Sequence, residues 1–416
     1  MNKRTFLQSA LGLLALPSDS LGKIWQTNGQ IPQQVAQNEA FWAEIRKHYR
    51  ITSDFIHLEN GYYILPSEDV LDAYIRHIKK INLVSSYYMR TQQFDDKLAL
   101  RKQLAEVVGC PFEELIITRN TTESLDTVIA GMDWKAGDEA VMAMQDYGAM
   151  LDMFKQQARR YGIINKVISV PNHPKSDEEI VQLYEQAITP KTRLLMVCHV
   201  INITGQILPV QKIAQMAHRL GVEVLVDGAH AIGHIDFKIS DLGCDYYGSS
   251  LHKWLGSPLG AGLLYVKKEK IKNLWPLFAD PNFGDDDIRK LNHTGTHPVH
   301  TDLAIADAIR FHQEIGIERK EARLRYLQNY WTSKVRTNPR ILVNTPAEAA
   351  RSCGIANVGI KGMTPANLAK TLLEKYKIWT VAIDYANVQG VRVTPHLYTS
   401  LQELDAFVRA LQELAA

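Results

Sequence analysis

The sequence predicts an α/β protein with a large domain, built on a mainly parallel seven-stranded sheet flanked by helices, and a smaller carboxyl-terminal α+β domain. Three observations lead to this prediction. Between about residues 98 and 266, short apolar runs alternate with helical patterns in the manner of βαβ units. Several of these runs are continuously apolar, which is typical of strands buried on both faces. After residue 301, long helical stretches are followed by short strands.

The elements follow in order along the chain. In the large domain we expect strands at 115–118, 139–143, 166–170, 194–200, 223–226, 246–249 and 262–266. Apolar residues at helical spacing predict helices at 98–108, 178–188 and 210–220. In the smaller domain we expect strands at 341–343, 355–360, 378–382 and 391–393, with a helix at 365–376 and another at the end. The predicted divisions are 1–30, 31–65, 66–300 and 301–416.

Composition narrows the class of partner. The 416 residues contain 47 Lys and Arg against 45 Asp and Glu, so no strong net field favours nucleic acid or a membrane surface. The expected partner is therefore a small molecule. The cysteines Cys110, Cys198, Cys244 and Cys353 are too far apart for a zinc ribbon or a disulfide framework. No apolar run reaches the roughly 18 residues of a membrane-spanning helix.

The first residues, MNKRTFLQSALGLLALPS, have the pattern of an export signal. Lys3 and Arg4 precede a polar stretch and a short apolar run at 10–16. The pair resembles a weakened twin-arginine signal, which exports proteins that are already folded. Residues 1–30 therefore predict a periplasmic location. The alternative is an amphipathic tail on a cytoplasmic protein.

The stretch SSLHKWLGS contains a lysine with a matching carboxylate. Asp227 stands at the end of an apolar strand, and Lys253 follows the end of the next one. Ligands of open α/β sheets bind at the carboxyl ends of strands. An anion to hold a protonated pyridine nitrogen and an amine to hold an aldehyde are what pyridoxal phosphate requires. The sequence therefore predicts this cofactor.

Two further strand ends fit the same ligand. Asn120, Thr121 and Thr122 lie between an apolar strand and a helical pattern, where backbone N–H groups and hydroxyls could bind a phosphate. The alternative is an ordinary helix cap that binds nothing. Tyr147 follows the next strand and could stack on a planar ring, or it could be half-buried core.

Together these residues resemble a known family. The motifs are T-x-x-T-T-E at 118–123, the aromatic residue at 147, H-V-x-N-x-T-G at 199–205, V-D-G-A-H at 226–230 and S-x-H-K at 250–253. This ordered set is similar to that of the class V aminotransferases, which include cysteine desulfurases, selenocysteine lyases and isopenicillin N epimerase-like enzymes. The resemblance implies the fold of fold-type I pyridoxal phosphate enzymes.

The resemblance also implies roles. Lys253 would form the Schiff base and move the proton at the substrate's α-carbon, and Asp227 would bind the pyridine nitrogen. Cofactor contacts are implied for Thr121, Thr122, Tyr147, His230 (near the phenolic oxygen), Ser250 and His252. Thr296, in HTGTHP, corresponds to a threonine that relatives lend to the neighbouring subunit's phosphate, which implies a homodimer.

Substrate contacts are implied near both ends of the chain. In GVRVTPHLYTS, Arg392 would bind an α-carboxylate through two parallel hydrogen bonds, although a salt bridge is the simpler alternative. Asn202 would lie beside the substrate. LENGYYILP resembles the family's amino-terminal segment that lines the active site, which makes Asn60 and Tyr62 candidate contacts, with a simple turn as the alternative.

The sequence constrains the type of reaction less than it constrains the cofactor. A desulfurase of this family needs a cysteine shortly before the terminal arginine, and 375–392 has none, which argues against persulfide chemistry. Transamination, epimerisation and β-elimination share removal of the α-proton, and we favour transamination. Two other classes stay open: a catalytically inert cofactor-binding protein, and a metal hydrolase using Asp227, His230 and His234. The second leaves Lys253 unexplained, so no bound metal is expected.

Overall fold

A computed structural model describes residues 29–416. The basic and apolar residues of the predicted export signal lie outside this range. The strands, in chain order, are β1 Ile56–His57, β2 Leu115–Thr118, β3 Glu139–Ala143, β4 Ile164–Ile168, β5 Thr192–Cys198, β6 Glu223–Asp227, β7 Tyr246–Ser250, β8 Gly262–Val266, β9 Ile341–Val343, β10 Ala356–Ile360, β11 Ile378–Trp379, β12 Val381–Tyr385 and β13 Val388–Val393.

Helices connect and cover these strands. They are α1 Pro32–Val35, α2 Glu39–Arg46, α3 Glu68–Thr91, α4 Gln93–Val108, α5 Thr121–Gly131, α6 Gly148–Tyr161, α7 Asp177–Ala187, α8 Val210–Arg219, α9 Ile239–Leu242, α10 Lys268–Ile271, α11 Val299–Ile315, α12 Ile317–Val335, α13 Pro365–Tyr376 and α14 Leu401–Leu414. None of them is long and apolar enough to cross a bilayer, within residues 29–416.

The large sheet has the strand order β2-β8-β7-β6-β5-β3-β4. Every pair is parallel except those of β8, which runs antiparallel to both β2 and β7. Both faces are covered: in β5, Leu195 and Val197 pack in one apolar cluster while Leu194 and Met196 pack in the other. This two-sided burial explains the continuous apolar runs in the sequence. The predicted fold class is confirmed.

The smaller domain is built on a four-stranded antiparallel sheet of order β12-β13-β10-β9. Its own apolar cluster includes Trp331 of α12 and Phe407 of α14. The amino-terminal segment joins this domain, because β1 pairs in parallel with β11 and Glu59 bridges to Thr394. Residues from near both ends of the chain therefore meet beside the large sheet.

Some predicted bounds differ from the structure. The strand expected at 166–170 lies at Ile164–Ile168, because its register is set by pairing with β3 rather than by its own apolar residues. The strand expected at 378–382 is divided, since β11 pairs with β1 whereas β12 pairs with β13. The predicted division at residue 300 falls within α11, which packs against α3 and α4 of the large domain.

Candidate active site

A cavity of about 310 Å³ opens at the carboxyl edge of the large sheet. Small-molecule sites commonly have this size and place in α/β proteins. The predicted site residues that line it are Tyr62, Thr121, Thr122, Tyr147, Asn202, Asp227, His230, Ser250, His252, Lys253 and Arg392. The structure thus brings together residues separated by as much as 330 positions in the sequence.

Sheet topology accounts for this convergence. Strands β3, β5, β6 and β7 are parallel, so their carboxyl ends lie at one edge. Asp227 is the last residue of β6 and Ser250 the last of β7, while Lys253 follows three residues later. Tyr147 precedes the first residue of α6 after a short turn from β3. The polar side chains therefore reach the cavity from strand ends, as ligand contacts do in open α/β sheets.

One end of the cavity is suited to an anion. Helix α5 begins at Thr121, whose backbone N–H donates to Ser250 Oγ at 2.9 Å, and the two hydroxyls are 2.7 Å apart. Thr122 lines the cavity beside them. A Cβ on Gly262 would lie 2.7 Å from the backbone nitrogen of Asn120, so the glycine lets β8 approach the helix start. Backbone N–H groups and hydroxyls are thereby gathered at a helix amino terminus, which favours phosphate.

Lys253 also lines the cavity, three residues after Ser250. Its environment lowers the pKa of Lys253 to about 8, mainly because burial disfavours the ammonium, while the charge of Asp227 opposes this effect. Its Nζ is 3.1 Å from Nε2 of His230. Burial also lowers the pKa of His230 well below its ordinary value, so this imidazole is neutral. A lysine with a lowered pKa is a better nucleophile and proton acceptor near neutral pH.

Asp227 is buried beside this lysine. Its Oδ1 accepts a hydrogen bond from the backbone N–H of Ala229 at 3.0 Å. Burial raises the pKa of the carboxyl, against the opposing effects of that N–H and of Lys253. A buried carboxyl of this kind gains most from a cationic partner, which a protonated pyridine nitrogen would supply.

Arg392 reaches the cavity from β13, and Glu59 holds it in a two-point ion pair. Its Nη2 donates to Glu59 Oε1 at 2.6 Å and its Nε donates to Oε2 at 3.0 Å. The Nη1 group donates to the carbonyl of Asn202 at 3.3 Å. Glu59 occupies the Nε–Nη2 edge of the guanidinium and the Asn202 carbonyl takes one N–H of Nη1, so one N–H of Nη1 and one of Nη2 remain for an α-carboxylate. A Cβ on Gly61 would lie 2.9 Å from Arg392 Cζ, so this glycine gives the guanidinium its room.

Two further polar side chains, Tyr147 and Asn202, line the cavity. Tyr147 is 46% exposed, and Asn202 has a buried Oδ1 without a hydrogen-bond partner in the described chain. Tyr385, at the end of β12, interacts with the Asn202 side chain. The Asn202 amide oxygen and the Tyr147 hydroxyl are thus available to a substrate in the cavity.

Two predicted residues lie elsewhere. Asn60 is fully buried behind the wall, where its Nδ2 donates to the carbonyl of Thr394 at 2.7 Å and its Oδ1 accepts from the Tyr398 hydroxyl. These bonds make its role structural, so the structure does not support Asn60 as a substrate contact. Thr296 is exposed and does not line the cavity of its own chain, so its predicted role across a subunit interface remains a prediction.

The structure also adds residues that the sequence analysis missed. Glu59 lies within LENGYYILP, but its partner Arg392 is 333 positions away, so no neighbouring residue in the sequence indicates the contact. Cys198 and Arg119 also line the cavity, and both stand at strand ends, which is the signal that could have identified them. Within residues 29–416, no group of three or more His, Cys, Asp or Glu side chains is arranged to hold a metal ion.

The donor set fits pyridoxal phosphate. The α5 amino terminus with Thr121, Thr122 and Ser250 would hold the phosphate, and Asp227 would hold the pyridine nitrogen. Lys253 provides the amine for the aldehyde, and Tyr147 provides an aromatic face. The buried Asp227, which has no ion-pair partner within 4 Å among the described residues, is the observation that most favours a cationic ring nitrogen.

Comparison with known proteins agrees with this arrangement. The chain is 30% identical over 334 residues to isopenicillin N epimerase of Amycolatopsis lactamdurans, covering 76% of this chain and 84% of the relative. It is 28% identical over 331 residues to the Streptomyces clavuligerus epimerase (76% and 83%) and 25% identical over 402 residues to a probable cysteine desulfurase of Pyrococcus abyssi (89% and 97%).

Solved structures share the fold. The apo structure of a cysteine desulfurase from Thermococcus onnurineus NA1 superposes with a TM-score of 0.78 at 22% identity, covering 90% of this chain and 98% of the other. Residues 67–410 match the family described as Aminotransferase class-V. The predicted cofactor, pyridoxal phosphate, is supported by this match. The chain belongs to the class-V aminotransferase family.

Proposed function

We propose that the protein is an enzyme acting at the α-carbon of an amino acid or an aminoacyl compound, and that its reaction is epimerisation. The proposal of chemistry at the α-carbon rests on one observation: the Lys253 amine, the buried Asp227 carboxyl and the Arg392 guanidinium all line one cavity of about 310 Å³. The amine can transfer protons, the Asp227 carboxyl can bind the cofactor, and the guanidinium can bind a substrate carboxylate through two hydrogen bonds.

The residues of the chain then have separate tasks. Arg392, held by Glu59, binds and orients the substrate carboxylate. When bound, the cofactor supplies an aldehyde that combines with amines and a ring that withdraws electrons from the bonds at the α-carbon. The neutral Lys253 amine takes the α-proton. Return of a proton to the opposite face of the α-carbon gives epimerisation, whereas its return to the cofactor gives transamination.

Epimerisation is supported by the relatives and by one feature of the wall. Two relatives that are 28% and 30% identical to this chain carry the name isopenicillin N epimerase. Inverting a stereocentre requires a proton donor on the face opposite the base. Tyr147, predicted to cover the ring, lines the same cavity as Lys253, and we propose that its phenol hydroxyl returns the proton on the face opposite the lysine.

The test incubates the protein, loaded with pyridoxal phosphate, with separate L- and D-amino acids and short aminoacyl compounds in D₂O. An epimerase produces the other enantiomer carrying deuterium at the α-carbon and leaves the cofactor's visible absorption unchanged over many turnovers. Release of a keto acid with conversion of the cofactor to its amine would mean transamination. Loss of a β-substituent would mean lyase chemistry, and no change in any substrate would favour an inert cofactor-binding protein.

Tyr147→Phe tests the second proton donor. We expect it to reduce inversion by about 10²- to 10⁴-fold, the usual contribution of general acid–base catalysis, while deuterium exchange without inversion persists through Lys253. NMR of the α-proton and chiral chromatography measure the two rates separately. Tyr161→Phe is the matched control, since Tyr161 ends the helix that begins after Tyr147 and does not line the cavity. Equal loss of both rates in Tyr147→Phe would reject this role.

Transamination is the second candidate, and it was the prediction from the sequence. Lys253 is the only lysine that lines the described cavity, and a single base that serves one face suits transfer of the proton to the cofactor rather than across the substrate. If Tyr147→Phe leaves product formation unchanged and keto acid accumulates, this candidate replaces epimerisation.

We further propose a homodimer in which Thr296 of one subunit contacts the phosphate of the other. Exposed apolar side chains on α3 and α4 support an interface: Ile75, Ile78, Leu83, Tyr87, Phe94 and Leu98. The test mixes Lys253→Ala subunits with Thr296→Ala subunits. In a mixed dimer one site regains both residues, so activity should exceed that of either variant alone. No gain on mixing would oppose the shared site.

A periplasmic location is also proposed, from the pattern of residues 1–30. The test fuses these residues to a reporter that must fold before export. Cytoplasmic retention of the reporter would reject the proposal.

A further inference from the structure

Trp254, the residue after Lys253, contacts the imidazole that faces the lysine. Its indole Nε1 lies 3.2 Å from Nδ1 of His230. An indole N–H can only donate, so Nδ1 of His230 must accept. His230 is buried and uncharged, since burial lowers its pKa well below the ordinary value. Its single ring proton is therefore on Nε2.

That proton points toward the lysine. Nε2 of His230 and Nζ of Lys253 are 3.1 Å apart. With the proton on Nε2, the imidazole donates to the lone pair of the neutral amine. A hydrogen bond to the neutral form of a group favours that form. In the other tautomer, Nε2 would accept from an ammonium and favour the charged lysine instead.

The indole is itself held in place. Its ring stacks on that of His234, with centroids 3.9 Å apart and an angle of 8° between the planes. The Nε2 of His234 accepts from the backbone N–H of Gly354 at 2.7 Å, so its Nδ1–H donates to the carbonyl of His230 at 2.7 Å. A Cβ on Gly354 would lie 3.1 Å from His234 Nε2 and from the indole, so the loop fits closely. Lys320 donates to the Trp254 carbonyl.

We infer that Trp254 is a positioning residue: it fixes His230 as the Nε2–H tautomer, which favours the neutral form of the Lys253 amine and makes His230 a constant hydrogen-bond donor at the cofactor's side. The inference rests on the proposed function only for the task of Lys253. It also restricts the chemistry, because a His230 whose Nδ1 accepts from tryptophan and whose Nε2 already carries a proton cannot act as the base. The α-proton must then go to Lys253.

Other groups also act on this lysine. Its ammonium form is favoured by Asp227, Glu59 and Cys198 and disfavoured by the charge of Arg392. His252 lines the same cavity, and burial is the main reason that its pKa is lowered to about 4. Trp254 carries no charge, so its removal acts on the lysine through His230 or through the packing around the amine, and the controls below distinguish these two routes. This separates the tautomer effect from the surrounding electrostatics.

The first experiment needs neither cofactor nor turnover. The full-length, cofactor-free protein is labelled with ¹⁵N-histidine, and the His230 signals are assigned by their absence in His230→Gln. We expect long-range ¹H–¹⁵N spectra at neutral pH to show the Nε2–H tautomer for His230. The Nδ1–H tautomer, or a protonated ring, would overturn the inference even if the proposed function were correct.

The second experiment removes the donor. Trp254→Phe keeps an aromatic ring against His234, and the rate at which the protein captures pyridoxal phosphate is measured against pH through the visible absorption. The neutral amine is the nucleophile, so the midpoint of this profile reports the Lys253 pKa. We expect it to rise by about one pH unit, the scale of a single hydrogen bond. No rise would overturn the inference.

Two controls exclude a structural effect. Trp331→Phe removes another fully buried indole, whose Nε1 has no hydrogen-bond partner in the described chain, and should leave the midpoint unchanged. In a His230→Gln background there is no tautomer to fix, so adding Trp254→Phe should cause no further rise. A rise of the same size with and without His230 would show that Trp254 acts by another route.

Discussion

Lys253 and Arg392 are two buried basic side chains that line one cavity, and their neighbours act on them in opposite ways. Arg392 is gripped by both oxygens of Glu59 at 2.6 and 3.0 Å. Lys253 has no carboxylate within 4 Å in the described chain; its near neighbour is the neutral imidazole of His230 at 3.1 Å. Burial lowers the pKa of Lys253 to about 8.

The difference follows from what each side chain must do. A guanidinium cannot lose its proton in a protein, so a paired carboxylate costs it no reactivity and fixes its direction. An amine must be neutral to attack or to accept a proton, so an adjacent carboxylate would oppose its function. The carboxylate beside Arg392 thus gives the cavity a fixed cation for binding a substrate. The neutral imidazole beside Lys253 leaves the cavity an amine that can change its protonation state during the reaction.

The largest effect should come from removing the adjustable amine. Lys253→Ala should lower α-proton exchange by at least about 10²- to 10⁴-fold, the usual share of a general base, while the cofactor stays bound noncovalently. NMR of the α-proton in D₂O measures the rate. Lys290→Ala is the control, because Lys290 is also buried but lies outside the cavity. Undiminished exchange in Lys253→Ala would mean that another group is the base.

Next in size is the cofactor's anchor. Asp227→Asn keeps the shape but removes the buried charge expected to pair with the ring nitrogen. Removing one partner of a buried ion pair costs about 3–5 kcal/mol, or about 10²- to 5 × 10³-fold in cofactor affinity. Equilibrium titration of the cofactor-free protein tests this. Asp146→Asn is the matched control: it is a nearby buried carboxyl whose pKa burial raises to about 7. Equal losses would assign the effect to packing.

Breaking the clamp on the arginine should mainly affect stability and substrate binding. Glu59→Gln leaves the Arg392 guanidinium buried without a counter-charge, which we expect to cost about 3–5 kcal/mol of unfolding free energy. Urea denaturation measures it, and KM for substrates with an α-carboxylate should rise more than kcat falls. In Glu223→Gln, the broken pair with Lys270 is partly exposed and should cost about 1 kcal/mol or less. An equal cost for both variants would show that burial does not matter here.

The smallest effect should come from Cys353. Burial raises the pKa of its thiol to about 12, and Sγ lies 3.6 Å from the carbonyl of His234, away from the cavity. Cys353→Ala should therefore leave turnover unchanged and cost about 1 kcal/mol of stability. Activity assays and urea denaturation test this. If the unmodified protein releases sulfide from cysteine and Cys353→Ala does not, the protein would instead be a cysteine desulfurase.

The sequence could predict the large sheet because its strands are buried on both faces and leave continuous apolar runs, as in β5 and β6. It could not predict that β4 is shifted by two residues, since the pairing with β3 determines its register. Residues at strand ends, such as Asp227 and Ser250, were identifiable because topology brings these ends together. Glu59 and Trp254 were not, since their partners Arg392 and His230 are distant in sequence, and nothing local marks the contact.

The central claim is that the surroundings of Lys253 lower the pKa of its amine from the ordinary value to about 8, and one measurement tests it most directly. Cofactor-free protein is mixed with pyridoxal phosphate over a range of pH, the rate of capture is followed by visible absorption, and the modified lysine is identified by borohydride reduction and mass spectrometry. The lowered pKa means that the neutral amine, and so the rate, increases as pH rises through about 8, with the label on Lys253. A midpoint near the ordinary lysine value of about 10.4, or a label on another lysine, would contradict the account.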